Sequence, residues 1–332
     1  MDASSPQNDG VLLLPEVLLL RPSALALPFT AGLGAHFRLL DPLDSPEPAR
    51  SFLSSRCRAV RALLCLFSPA LPVMAETLDL LPSLELVVVS SAGLEHVDLP
   101  YCRRRGIAVT NASAAFCEDG ADYAVGLLID VMRRVSHGDR FVRAGSWPVQ
   151  GELPLGFKVG GKRVGIVGLG SIGSETAKRL ASFGCNIAYY SRKERLHVPY
   201  TYYANVHDLA ANSNILVLCC ALTEDTRHII NKDVISALGN EGIIINVGRG
   251  ALVDEKELVQ RLVRGEIGGA GLDVFEHEPK VPDELFVMDK VVLSPHRAVF
   301  TPESLEGVQE LIIGNLKAFF SNEPLRSLVQ YE

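Results

Sequence analysis

The sequence predicts an α/β protein built on parallel sheets with helices on both faces. Three observations carry that reading: short unbroken aliphatic runs recur along the chain, the stretches between them show helical spacing of apolar residues, and 332 residues at 48% apolar content suffice for about two domains. Unbroken apolar runs mark strands buried on both faces, because a strand with one wet face alternates apolar and polar residues.

The runs, in order, are "EVLLL" (16–20), "VRALLCL" (60–66), "LELVVVS" (84–90), "GIAVTN" (106–111), "RVGIVG" (163–168), "NIAYYS" (186–191), "NILVLCC" (214–220), "GIIINV" (242–247), "GGAGLDV" (268–274) and "KVVLSP" (290–295). Each is read as a strand. Ahead of the first, "MDASSPQNDG" is polar and lacks the basic flank of a signal peptide. Pro15 and Glu16 interrupt "VLLLPEVLLL", which leaves it too short to cross a bilayer. Residues 119–145 read as one long helix opening at Asp119 and closing toward Gly145, with Tyr123, Leu127, Leu128, Val131 and Val135 on one face.

A formal charge of −7 disfavours binding to a phosphate backbone, so no nucleic-acid partner is expected. Nor is a membrane partner. Seven cysteines without a C-x-x-C pair read as reduced thiols rather than a zinc site, which points to a cytoplasmic protein with no metal.

The stretch "KRVGIVGLGSIGSETAKRLASFG" places Gly168, Gly170 and Gly173 between a strand and a helix. The first glycine permits the turn, the second lets main chain approach a pyrophosphate, and the third lets helix and strand touch. Leu169, Ser171 and Ile172 fill the gaps of this dinucleotide-binding turn, and the helix that follows is expected to face inward at Leu180 and Phe183. At the end of the next strand an NAD site carries an acid for the ribose hydroxyls. Here Ser191, Arg192, Lys193 and Arg195 stand instead, groups that hydrogen-bond and neutralise a 2′-phosphate. NADPH is therefore the expected cofactor, with NADH the weaker alternative.

Further along come "LTEDTRHIINKD", "INVGRGALVDEKELVQRL", "GAGLDVFEHEP" and "VVLSPHRA". With the glycine turn, this ordered set closely resembles the D-isomer-specific 2-hydroxyacid dehydrogenases over residues 84–316, most nearly their plant glyoxylate/hydroxypyruvate reductase branch. The resemblance implies two Rossmann-like or flavodoxin-like domains, with the cofactor domain (102–293) inserted into a substrate domain made of 1–101 and 294–332. It also implies a hinge between them and a homodimer.

It further implies a catalytic trio, Arg249, Glu278 and His296. Arg249 follows a buried strand, where its planar fork can grip a 2-oxo acid's carboxylate and polarise the ketone. His296 would protonate the oxygen of the reduced ketone, and Glu278 would orient the ring and favour its charged form. The resemblance places Ala92 and Gly93 at the substrate carboxylate, and Val247 and Asp273 beside the cofactor; Asp273 reads as a support of the site or as a turn cap. His277, next to Glu278 in an extended segment, should point away as a bystander.

Where many relatives follow the histidine with small residues, Arg297 and Phe300 stand here. Arg297 either assists an anionic substrate or points to solvent. Trp147, the only tryptophan, falls where relatives use a partner's aromatic to wall the pocket, and core or interface packing is the other reading. The expected activity is NADPH-dependent reduction of glyoxylate, hydroxypyruvate or a bulkier acid such as hydroxyphenylpyruvate. The alternatives are a 3-phosphoglycerate dehydrogenase and an NAD(H)-sensing corepressor on the same fold.

Overall fold

A computed structural model describes residues 14–22, 29–66 and 71–330. The polar N-terminal decapeptide lies outside the described residues. The chain divides into two units, one of residues 1–112 and 306–332 and one of residues 113–305.

Among the described residues of the first unit, β1 (Glu16–Leu20), β2 (Arg38–Leu40), β3 (Ala62–Cys65), β4 (Leu86–Val89) and β5 (Ala108–Thr110) form a parallel sheet in the order β2-β1-β3-β4-β5. This is the flavodoxin-like order. The outer side of β5 is met by the segment Ser327–Val329, where Val329 N–H donates to Val109 O at 2.8 Å and Asn111 N–H to Ser327 O at 3.3 Å. Asn315 pins that segment, accepting from Arg326 N–H at 2.9 Å and donating to Ser327 Oγ at 3.1 Å.

In the second unit β6 (Arg163–Val167), β7 (Asn186–Tyr190), β8 (Thr201–Tyr203), β9 (Ile215–Leu218), β10 (Ile243–Asn246), β11 (Gly269–Leu272) and β12 (Val291–Leu293) form a parallel sheet in the order β12-β11-β10-β9-β6-β7-β8. That is the doubly wound dinucleotide-binding order, carried one strand further. Alternate residues of one strand serve opposite cores: Ile215, Val217, Ile243 and Ile245 pack on one face, Leu216, Leu218 and Ile244 on the other. This is why the runs are unbroken.

All ten expected strands are present, and two short ones, β2 and β8, were not expected. The unit boundaries fall later than expected at both crossings. β5 pairs with β4 and so stays in the first unit, while β12 pairs with β11 and holds the His296 segment in the second.

The long helix is two. Cys117–Arg133 ends at Arg134, whose φ of 57° is left-handed, and Val135–Arg143 starts afresh. Asp130 causes the break by accepting the Ser136 amide at 2.7 Å, which caps the second helix. Leu127, Leu128 and Val131 are buried as expected, but Val135 is 57% exposed beyond the break. Asp119 lies inside the first turn rather than capping it, and accepts from Thr301 Oγ1 at 2.6 Å. No described helix is long and apolar enough to cross a membrane.

Candidate active site

β6 leads into the glycine turn at the point where the strand order reverses, with β7 on one side of it and β9 on the other. Gly168 has φ 96°, and a Cβ there would meet the Cys220 main chain at 2.6 Å. A Cβ on Gly173 would stand 2.1 Å from Gly168 O, so helix Ser171–Ser182 touches the turn only because residue 173 is glycine. Gly170 differs. It is the helix N-cap, and a Cβ on it would enter open space, which leaves its main chain accessible to a ligand.

The first amides of a helix lack partners within it and carry its partial positive charge, so this cradle fits a pyrophosphate. The Leu169 side chain is 1% exposed and offers main chain only, while Ser171 is exposed and Ile172 half-buried. Leu180 is buried in the core, but Phe183 is 48% exposed. The helix has ended by then, and the chain turns away at Gly184, φ 78°.

After β7, Ser191 is half-buried while Arg192, Lys193 and Arg195 are exposed. Ser191 Oγ donates to Lys193 O at 2.6 Å, and the Arg195 amide donates to Tyr189 Oη at 2.8 Å, which folds the basic stretch into a compact turn.

The three residues of the expected trio lie beyond the carboxyl ends of β10, β11 and β12, where ligands of open α/β sheets bind. Asn246, 1% exposed at the end of β10, accepts from Gly248 N–H at 3.1 Å and donates to Arg249 O at 2.9 Å. It shapes the turn that presents Arg249, which is half-buried, as Val247 before it is buried. Glu278 follows β11: its Oε1 accepts the Phe275 amide at 3.0 Å and its Oε2 lies 2.7 Å from His296 Nδ1. The Glu278–Pro279 peptide is cis.

Burial pushes the Glu278 carboxyl up, but hydrogen bonds from His296 and the Phe275 amide, with the charges of His296 and Arg249, hold it below the usual carboxylate range. Glu255 behaves oppositely. Burial raises it, and the Glu276 and Glu278 carboxylates add to that against the Glu276 amide.

His296 has φ 52°, a left-handed conformation that costs a non-glycine residue about 1–2 kcal/mol. Asp273, 1% exposed, outweighs that cost. Its carbonyl accepts the His296 amide at 2.7 Å, and its carboxylate accepts Arg297 N–H at 2.8 Å, Ala298 N–H at 2.9 Å and Ser294 Oγ at 2.6 Å. Each bond to a buried charge contributes about 1.5–3 kcal/mol.

The structure thus brings Arg249, Glu278 and His296 together in one unit. Ala92 and Gly93 belong to the other, in the turn after β4, where Asn111 Nδ2 donates to Ala92 O at 3.0 Å and Ser91 Oγ to Gly93 O at 2.7 Å. His277 is exposed and its carbonyl accepts the Lys280 amide at 2.9 Å. Arg297 is exposed, its guanidinium 5.2 Å from the centre of the Phe300 ring. Trp147 is 63% exposed at the start of a short helix.

Sequence reasoning missed Asn246, Glu255, His228 and Glu276. For Asn246 a signal existed, a lone amide closing an apolar run. For the other three the partners are distant in sequence.

The profile described as "D-isomer specific 2-hydroxyacid dehydrogenase, NAD binding domain" matches residues 125–298. A glyoxylate/hydroxypyruvate reductase of Arabidopsis thaliana is 54% identical over 319 residues, covering 96% of this chain and 98% of its own. The hydroxyphenylpyruvate reductase of Plectranthus scutellarioides is 48% identical over 84% of this chain and 88% of its own. Among solved structures, an NADPH-dependent glyoxylate/hydroxypyruvate reductase from Sinorhizobium meliloti in complex with NADP and malonate superposes with TM-score 0.86 at 34% identity, covering 95% of this chain and 96% of that one. On these likenesses the chain belongs to the D-isomer-specific 2-hydroxyacid dehydrogenases.

Proposed function

We propose that the protein reduces small 2-oxo acids, glyoxylate and hydroxypyruvate first and hydroxyphenylpyruvate as a bulkier candidate, to 2-hydroxy acids with NADPH. The observation that carries this reading is the 2.7 Å pair of Glu278 and His296 on the sheet that bears the glycine turn. The names of the relatives and the NADP-bound neighbour support it.

The nicotinamide, when bound, supplies hydride to the ketone carbon. Gly168, Leu169, Gly170, Ser171, Ile172 and Gly173 would hold the pyrophosphate through main chain, and Val247 and Asp273 would help to hold the cofactor. Ser191, Arg192, Lys193 and Arg195 receive the 2′-phosphate. Arg249 grips the carboxylate of the oxo acid and polarises its carbonyl. His296 gives its Nε2 proton to the developing alkoxide, and Glu278, bonded to Nδ1, fixes the ring and stabilises the imidazolium before transfer. Asp273 keeps that histidine in its turn.

The exposed Trp147 fits a homodimer in which each protomer lends this aromatic to its partner, and seven free thiols fit a cytoplasmic setting. The test is NADPH oxidation, followed by absorbance, across glyoxylate, hydroxypyruvate, phenylpyruvate and hydroxyphenylpyruvate. Turnover with at least one of the four is expected, and silence with all of them overturns the reading.

A further inference from the structure

Glu278 is one of two glutamates in its turn that face a histidine. Glu276, two residues earlier, has its Oε1 2.7 Å from His228 Nε2, and the Arg227 guanidinium stands 3.9 Å from the same oxygen. Its main-chain N–H donates to Glu255 Oε2 at 3.0 Å. The turn that carries Glu278 is therefore held from outside at two points, by the side chains of His228 and Glu255.

His228 is itself built into the Arg249 loop. Its backbone is left-handed, φ 51°, and its amide donates to Ala251 O at 2.8 Å. Two residues on, Ile230 N–H donates to Leu252 O at 3.0 Å and accepts Asp254 N–H through its carbonyl at 3.0 Å. The residues after Arg249 are thus zipped to the segment carrying His228, whose ring reaches across to the turn carrying Glu278. The Glu276 side chain is only 17% exposed, so its charge is shielded from water and its bond to the imidazole is worth more than a surface pair.

We propose that His228 and Glu276 are positioning residues of the reduction: their contact locks the Arg249 loop to the Glu278 turn and so sets the angle at which Glu278 holds His296. The proposal rests on the catalytic reading of Arg249, Glu278 and His296. Neither His228 nor Glu276 touches substrate in it. A displacement of about 1 Å in a catalytic array can cost 100-fold in rate, so a tie between two loops is enough to matter.

The experiment uses the full-length enzyme with NADPH and its best oxo acid. His228→Ala and Glu276→Gln should each lower kcat about 10- to 100-fold while the Kd of NADPH, from fluorescence titration, changes less than about twofold. His228→Gln, which retains an N–H donor, should recover most of the loss. The decisive reading is coupling: in a Glu278→Gln background, His228→Ala should change the residual kcat less than about twofold, because the residue it positions is gone. A purely structural role would lower turnover equally in both backgrounds, and that result overturns the proposal, as does normal kcat in His228→Ala. If His228→Ala does not fold, the Glu276→Gln variant on the same two backgrounds decides by the same criterion. Full activity of Glu278→Gln or His296→Gln would instead sink the catalytic reading itself, whatever His228 does.

Discussion

Gly250 and Phe275 come from different strand ends, yet a Cβ on Gly250 would stand 1.9 Å from the Phe275 carbonyl carbon and 2.4 Å from Glu276 N. Main chain meets main chain there, so neither side can yield by rotating a side chain. Gly250→Ala must push the Arg249 and Glu278 loops apart. Overpacking costs about 1–3 kcal/mol, and a lower Tm together with a loss of kcat of more than tenfold is expected from thermal melts and steady-state assays. An unperturbed Tm and kcat would mean that this contact does not register the site.

His296→Gln keeps the size of the side chain and removes the transferable proton. It should lower kcat by about 10²- to 10⁴-fold with NADPH binding intact, measured by turnover and by fluorescence titration. Near-normal turnover removes His296 from proton transfer.

Arg249→Ala should raise KM for the oxo acid and also lower kcat, since the guanidinium serves both the bound ketone and the developing alkoxide. About 100-fold in kcat/KM is the scale of one lost charge-assisted contact. An unchanged KM argues against the carboxylate grip.

The Glu278 carboxyl is held below its ordinary range in the folded protein, so what it contributes to stability is present above the unfolded value and is lost as pH falls through the folded one. The difference in Tm between the wild type and Glu278→Gln should therefore shrink as pH drops below the usual carboxylate range, and stay constant from there to neutrality. Melts across pH check this. A gap that first opens in acid would reverse the sign of the shift.

Cofactor choice is tested at Ser191. The wild type should show higher kcat/KM with NADPH than with NADH, and Ser191→Asp should lower the ratio by about 10- to 100-fold through repulsion of the 2′-phosphate. An equal or reversed preference in the wild type refutes the assignment.

How far the sequence was legible follows burial and range. Strands buried on both faces, such as Ile215–Leu218 and Ile243–Asn246, announce themselves as apolar runs. The edge strands Arg38–Leu40 and Thr201–Tyr203 are three residues long with no fully buried position, and carry no such pattern. The helix break at Arg134 has no glycine or proline to mark it; its mark is the bond from the Ser136 amide to the Asp130 side chain six residues before it. In the site, the glycine turn could be derived from chemistry and the trio from the ordered motifs. Asp273 was visible as a candidate, but its grip on two amides and a hydroxyl was not. The His228–Glu276 pair spans 48 residues and leaves no local trace.

The segment Ser327–Val329 lies along β5, the last strand of its sheet. Stripping it away would bare a row of amides and carbonyls, an open template onto which another polypeptide could add a strand. Shortening the chain past Asn315's partners should thus show first as self-association in light scattering, ahead of any change in catalysis.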